Sequence, residues 1–247
     1  MINQNSGNME ISESRKRWVY RIGGIAALLT VAVGFGEMAI NFLPGGSAPV
    51  ETVVDWFTQL QSNWFMGLRN LGLLNIFMVT LGIPTYFALS MANRVENRSF
   101  GTLAMAISFI GAAIFFSTNR AFSMLELSSQ YSQAATDAQR AMIESAGLVM
   151  LSVGRSHSPG TFVGFFLAEI AGILISVVML KGKVFSKMAA LSGITGFTLL
   201  MIFEVISSFV PSLNEFGMVI AMGGGILNVI WMILLGWKLI QLARQEE

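Results

Sequence analysis

Apolar residues are gathered into six long runs separated by short polar segments, at about 19–43, 71–92, 100–125, 162–180, 188–210 and 216–239. Each run approaches or exceeds the ~20 residues that an α-helix needs to cross ~30 Å of hydrocarbon at ~1.5 Å per residue. The runs are continuous. A membrane barrel strand would instead alternate polar and apolar positions over ~10 residues, and only helices or closed barrels satisfy their backbone groups in lipid. The pattern therefore predicts an all-α integral membrane bundle of six transmembrane helices. It is read as one domain over 18–240, with a polar N-terminal tail at 1–17 and a short C-terminal tail at 241–247. The first run follows Arg15, Lys16 and Arg17, as a secretion signal would, but its length exceeds the ~7–15 residues of a signal core. It reads as a retained helix.

Two connections carry periodicity of their own. After the breaker Pro44-Gly45-Gly46, the residues Val50, Val53, Val54, Phe57 and Leu60 recur at helical spacing beside Trp56 and Trp64, which predicts an interfacial helix. In the segment 126–160, Thr136-Asp137-Ala138-Gln139 has the form of a capping box. Ala138, Met142, Ala146, Val149, Met150 and Val153 follow on one face, and Gly154 and Pro159 end the run. This segment is expected to be an outer capping helix.

Charge then gives orientation. Eleven of the fifteen basic residues, among them Arg21, Arg94, Lys183 and Lys238, fall on one side of a six-span arrangement. Lys and Arg collect in cytoplasmic loops, so both termini are expected there.

Composition removes several chemistries. Charged residues make up 12% of the chain, about half the share in soluble domains, which returns the argument to lipid. With no cysteine and one histidine, thiol catalysis and Cys or His metal clusters are excluded. There is no phosphate-binding loop and no basic surface studded with aromatics, so neither a cofactor nor nucleic acid is expected. Ser156-His157-Ser158 lacks the nucleophile elbow of a hydrolase and is not assigned a catalytic role.

What remains is a set of polar residues inside apolar runs. Counted from the span ends, Glu37 and Glu204 lie ~9 Å and Glu169 ~12 Å below the outer boundary. Asn41 follows Glu37 by one helical turn, Arg69 opens the second span, Asn119 and Arg120 stand near the outer end of the third, and Asn228 lies deepest. A charge facing lipid costs ~2.5–3.5 kcal/mol at a helix centre, so these residues are expected to turn inward and form one outward-facing pocket. Arg120 and Arg69 are expected to neutralise two of the three glutamates, leaving the third for a bound ion, a small polar ligand or a proton. The pocket reading makes the protein a non-enzymatic binder or transporter of a small polar molecule or ion. Two other readings use the same residues: an accessory subunit whose polar groups only fix helix packing, and an intramembrane enzyme with glutamate as general acid or base. Gly223-Gly224-Gly225 in the sixth run would admit a neighbouring helix or act as a hinge.

The segments FFSTNRAFSMLELSSQY, ATDAQRAMIESAG and SPGTFVGFFLAEIAGIL, with Arg21-Ile22-Gly23-Gly24 opening the first run, resemble a group of bacterial integral membrane proteins known only as a domain of unknown function. The resemblance implies a multi-pass protein of a bacterial cytoplasmic (inner) membrane and supplies no substrate, cofactor or site.

Overall fold

The computed structural model describes the backbone of residues 2–40 and 50–245, and the side chains of these residues except 2–15 and 94–96. The expected Asn41 and the breaker Pro44-Gly45-Gly46 lie outside the described residues. Among the described residues ten α-helices follow one another: α1 (Ile2–Ile40), α2 (Val53–Ser62), α3 (Trp64–Asn70), α4 (Leu73–Ala92), α5 (Arg94–Thr118), α6 (Ala121–Gln133), α7 (Asp137–Gly154), α8 (Phe162–Lys181), α9 (Lys187–Phe209) and α10 (Asn214–Gln245). Six of them, α1, α4, α5, α8, α9 and α10, are long and apolar enough to cross a membrane. The protein is an all-α, multi-pass membrane bundle. Residues expected to form a polar tail are helical and continue the first span.

The six spans close into a ring. Each packs mainly on two neighbours, in the order α1, α4, α5, α8, α9, α10 and back to α1. Small residues set several of these contacts, since helices in lipid associate by close backbone packing. A Cβ on Gly24 would lie 2.8 Å from the carbonyl oxygen of Gly236, drawing α1 against α10. A Cβ on Gly111 would lie 3.2 Å from the carbonyl oxygen of Gly164, joining α5 to α8. Of the glycine triplet, Gly224 packs against Gly196 and Leu200 of α9, whereas a Cβ on Gly225 would meet nothing within 4 Å. The helix runs unbroken through all three, so the triplet serves close approach at one position and makes no hinge here.

The remaining helices α2, α3, α6 and α7 cover one end of the ring. They have their own apolar core of Phe57, Leu60, Leu68, Leu71, Ala121 and Met124. Helix α2, expected at the membrane interface, contributes Phe57 and Leu60 to that core, and Thr52 and Asp55 form a capping box at its start. The capping box expected at Thr136 is present, with Gln139 N–H donating to Thr136 Oγ1 at 3.2 Å.

Two expectations need correction. The third apolar run, expected at 100–125, is divided: α5 stops at Thr118 and α6 starts at Ala121, with Asn119 in extended backbone between them. Asn119 Oδ1 accepts from Ala121 N–H at 3.1 Å, so its side chain caps the new helix at the break. The packed face of α7 is also different. Met142 and Val149 are exposed, while Gly147 and Gly154 are buried, with Ile143, Met150 and Leu151 packed on the cap core. Val53 and Phe57 occupy the space beside Gly147, and a bulkier face would hold α7 away from them.

Candidate functional site

Inside the ring, all six spans line one cavity of about 300 Å³. Its wall is mostly apolar, and its polar side chains are Thr30 of α1, Asn75 and Tyr86 of α4, Ser108 of α5, Glu169 of α8 and Asn228 of α10. Among the described residues, Glu169 is the only charged one in the lining. Its Oε2 is shielded from solvent and has no hydrogen-bond partner among the described residues. The sequence explains how an acid comes to stand there. On α8, Phe165 precedes Glu169 by one turn and shares its face, Ala168 and Glu169 both reach the cavity, and Gly172 one turn inward packs against the ring of Phe197. The small residues let α5 and α9 close in, which keeps the carboxyl among protein groups.

The other two glutamates have different surroundings. Glu204 of α9 is 2% exposed, and its Oε2 shares a hydrogen with Nδ1 of His157 across 2.6 Å. Its Oε1 accepts from the Ser208 hydroxyl at 3.4 Å. Glu37 is half-buried on α1, and its backbone carbonyl accepts from Arg69 at 2.9 Å. Glu37 lies within electrostatic reach of Arg69 and His157, and Glu204 within reach of Glu169.

His157 is held by more than its acid. It has φ of 54°, the left-handed region, and is the only non-glycine residue with positive φ among those described. Its ring stacks on Phe165 at 4.6 Å between centroids and tilts against Phe203 at 5.0 Å, while its carbonyl accepts from the Ser207 hydroxyl at 3.0 Å. A left-handed, non-glycine backbone costs about 1–3 kcal/mol and persists only where surrounding contacts fix it. Phe165 also lines the cavity, so the His157–Glu204 pair sits directly behind one wall of the site.

Arg120 does not meet the glutamates. Its NH1 donates to the carbonyls of Ser117 at 2.6 Å and Asn119 at 3.4 Å, closing the end of α5, and its stem packs under Gly154. A guanidinium beside carbonyls left open at a helix C-terminus finds acceptors locally, and this overrides the expected pairing with an acid. Arg69 is buried and donates to Asn70 Oδ1 at 2.9 Å as well as to Glu37. Asn119 donates to the carbonyl of Leu71 at 3.4 Å.

A polar cluster lies next to the cavity at the capped end. Gly72, in left-handed conformation with φ of 90°, turns the chain from α3 into α4. The position of its missing Cβ is 3.4 Å from Asn119 Nδ2, 3.5 Å from Ser156 Oγ and 3.7 Å from Asn75 Nδ2. Any side chain there would be strained by the backbone, although its Cβ would only reach ordinary contact with these three groups. Of the residues singled out in the sequence, Glu169 and Asn228 thus line the cavity, Asn119 stands beside it, Glu37, Arg69 and Glu204 lie in neighbouring polar contacts, and Arg120 belongs to the helix end.

His157, Tyr86, Thr30 and Ser108 are the polar participants that sequence reasoning passed over. The signal for His157 was its position: Glu204 needed a partner, and the single histidine lay in the loop of the same side. A second cavity of about 350 Å³, lined by Arg21 and Arg244, lies between α1 and α10 at the end bearing the termini and shares no residue with this site. Among the described residues no group of three acidic or histidine side chains could hold a metal ion. No protein-family model, curated protein or solved structure matches the chain.

Proposed function

We propose that this multi-pass membrane protein is a non-enzymatic binder or transporter of a small polar solute, which occupies the cavity at the centre of the ring and enters from the capped end. One observation carries the reading: six spans contribute to a single cavity where, among the described residues, the only charged lining group is Glu169 and its shielded Oε2 has no partner. A cavity of this volume falls at the lower end of the range for small-molecule sites. Burying an unpaired carboxylate costs several kcal/mol, so a group held there solely to fix packing would be a liability unless a solute or a proton neutralises it. The distribution of basic residues supports an orientation with the termini in the cytoplasm and the capped end outside.

A packing role fits one acid specifically. Glu204 has both oxygens bonded, to His157 and Ser208, and ties the loop before α8 to α9. The locking reading is therefore assigned to that pair and the binding reading to Glu169.

The chain has no cysteine, which permits a clean test. Ser108→Cys, nearly isosteric and on the cavity wall, is expected to react in membranes with a small neutral thiol reagent. Ser129→Cys, exposed on the cap, and Ala27→Cys, fully buried, set the upper and lower bounds. If Ser108→Cys is as inert as Ala27→Cys, the cavity is closed to solutes and the reading is wrong.

A further inference from the structure

We infer that the solute is a small organic ammonium ion, a conclusion that rests on the binding role given to the cavity. Four aromatic residues, Tyr86 of α4, Phe115 of α5, Phe165 of α8 and Phe197 of α9, share its lining with the carboxyl group of Glu169. Aromatic faces carry negative charge and attract cations, most strongly where water is excluded, which is the basis of aromatic cages for ammonium groups. Among the described residues, no lysine, arginine or histidine lines the wall. An anion would therefore meet a carboxylate and aromatic side chains with no compensating cation among the described residues.

An inorganic cation fits less well. A hard divalent ion takes six or more oxygen ligands, with carboxylates supplying much of the charge, and here one carboxylate faces a mainly apolar wall. The volume of about 300 Å³ is also roughly ten times that of one water molecule, too large for a bare ion to touch its ligands on all sides. An ammonium group with an apolar body matches both halves of the lining. The charged head meets Glu169 Oε2 and the rings, and the body meets Met78, Leu200 and Met232. Asn75, Asn228, Thr30 and Ser108 offer hydrogen bonds to a further polar substituent.

The test uses the full chain in detergent, with occupancy read as protection of Ser108→Cys from the neutral thiol reagent and, independently, as the thermal shift of the wild type. Two ammonium probes, choline and butylammonium, are compared with uncharged counterparts, the carbon isostere of choline and butanol, and with potassium chloride. At least one ammonium probe is expected to bind ten times more tightly than its counterpart. Glu169→Gln is expected to remove that preference, and Phe115→Leu, which keeps an apolar wall but deletes a ring, to weaken ammonium binding about fivefold. Equal binding of charged and uncharged probes, binding of potassium alone, or no binding by any probe would overturn the inference while leaving the cavity reading in place if the cysteine still reacts. An inert cysteine would instead remove the cavity reading itself. A Glu169→Gln protein that folds and keeps the full preference for ammonium also overturns it.

Discussion

Nδ1 of His157 and Oε2 of Glu204 stand 2.6 Å apart, joining the loop before α8 to a buried position on α9. Removing the imidazole leaves a nearly inaccessible carboxyl with only the long bond from Ser208. His157→Asn keeps a residue that tolerates positive φ but is too short to reach Glu204. It is expected to lower stability by about 2 kcal/mol, read by reversible unfolding in mixed micelles. Combining it with Glu204→Leu should cost less than the two single changes added, because the pair acts as a unit. Additivity would show that the two side chains do not depend on one another.

Glu169 and Glu204 are predicted to respond oppositely to loss of charge. Glu204→Gln weakens a short, shared hydrogen and should destabilise by about 2 kcal/mol. Glu169 has an oxygen without a partner, and a neutral amide is less costly to bury than a carboxylate. Glu169→Gln should therefore be at least as stable as the wild type when no solute is present. The same unfolding assay decides: if Glu169→Gln loses as much as Glu204→Gln, both acids serve packing alone.

The glycine triplet of α10 separates close packing from flexibility. Gly225 faces open space, so Gly225→Ala should be neutral or gain up to about 1 kcal/mol from helix propensity. A Cβ on Gly224 would already lie 2.9 Å from Leu200 Cγ and 3.1 Å from the carbonyl oxygen of Gly196. Gly224→Val should separate α9 from α10 and cost about 1–3 kcal/mol. Equal effects at the two positions would contradict the packing described.

Acid should loosen the cap at α2. Asp55 Oδ2 accepts from Thr52 N–H at 2.9 Å, and Asp55 N–H donates to Thr52 Oγ1 at 3.1 Å. The bonds from Thr52 hold the Asp55 carboxyl below its ordinary range. A depressed folded value contributes stability that is present above the unfolded value, about 3.9, and is lost as pH falls through the folded one. Amide exchange over Val53–Ser62, corrected for its intrinsic pH dependence, should therefore lose protection below about pH 4, whereas Asp55→Ala should show reduced protection already at neutral pH. An unchanged profile in the variant would assign the cap's stability to its apolar core alone.

Much of this architecture is legible in the residues because it is local. Continuous apolar runs dictate helices in lipid, and Thr136 with Gln139 fixes a helix start through bonds spanning three residues. Two features escaped because apolar patterning does not register them. The buried face of α7 is built on Gly147 and Gly154, which count for little on any hydrophobic scale, so the larger Met142 and Val149 marked the wrong face. The partner of Glu204 is 47 residues away and comes from a loop that bends toward the bundle. Depth along a helix axis placed Glu204 correctly near the capped end but gave no information about which basic residue faced it. Arg120 was the nearer candidate by that count, and the open carbonyls of α5 claimed it.

Whether the six spans enclose a solute beside Glu169 is tested most directly by an experimental structure of the protein in a lipid nanodisc equilibrated with the ammonium probe that binds best. The account predicts non-protein density bounded by Glu169, Tyr86, Phe115, Phe165 and Phe197, absent from a Glu169→Gln sample prepared in the same way. A ring whose side chains collapse into the centre, or a Glu169 directed at the acyl chains, would contradict it.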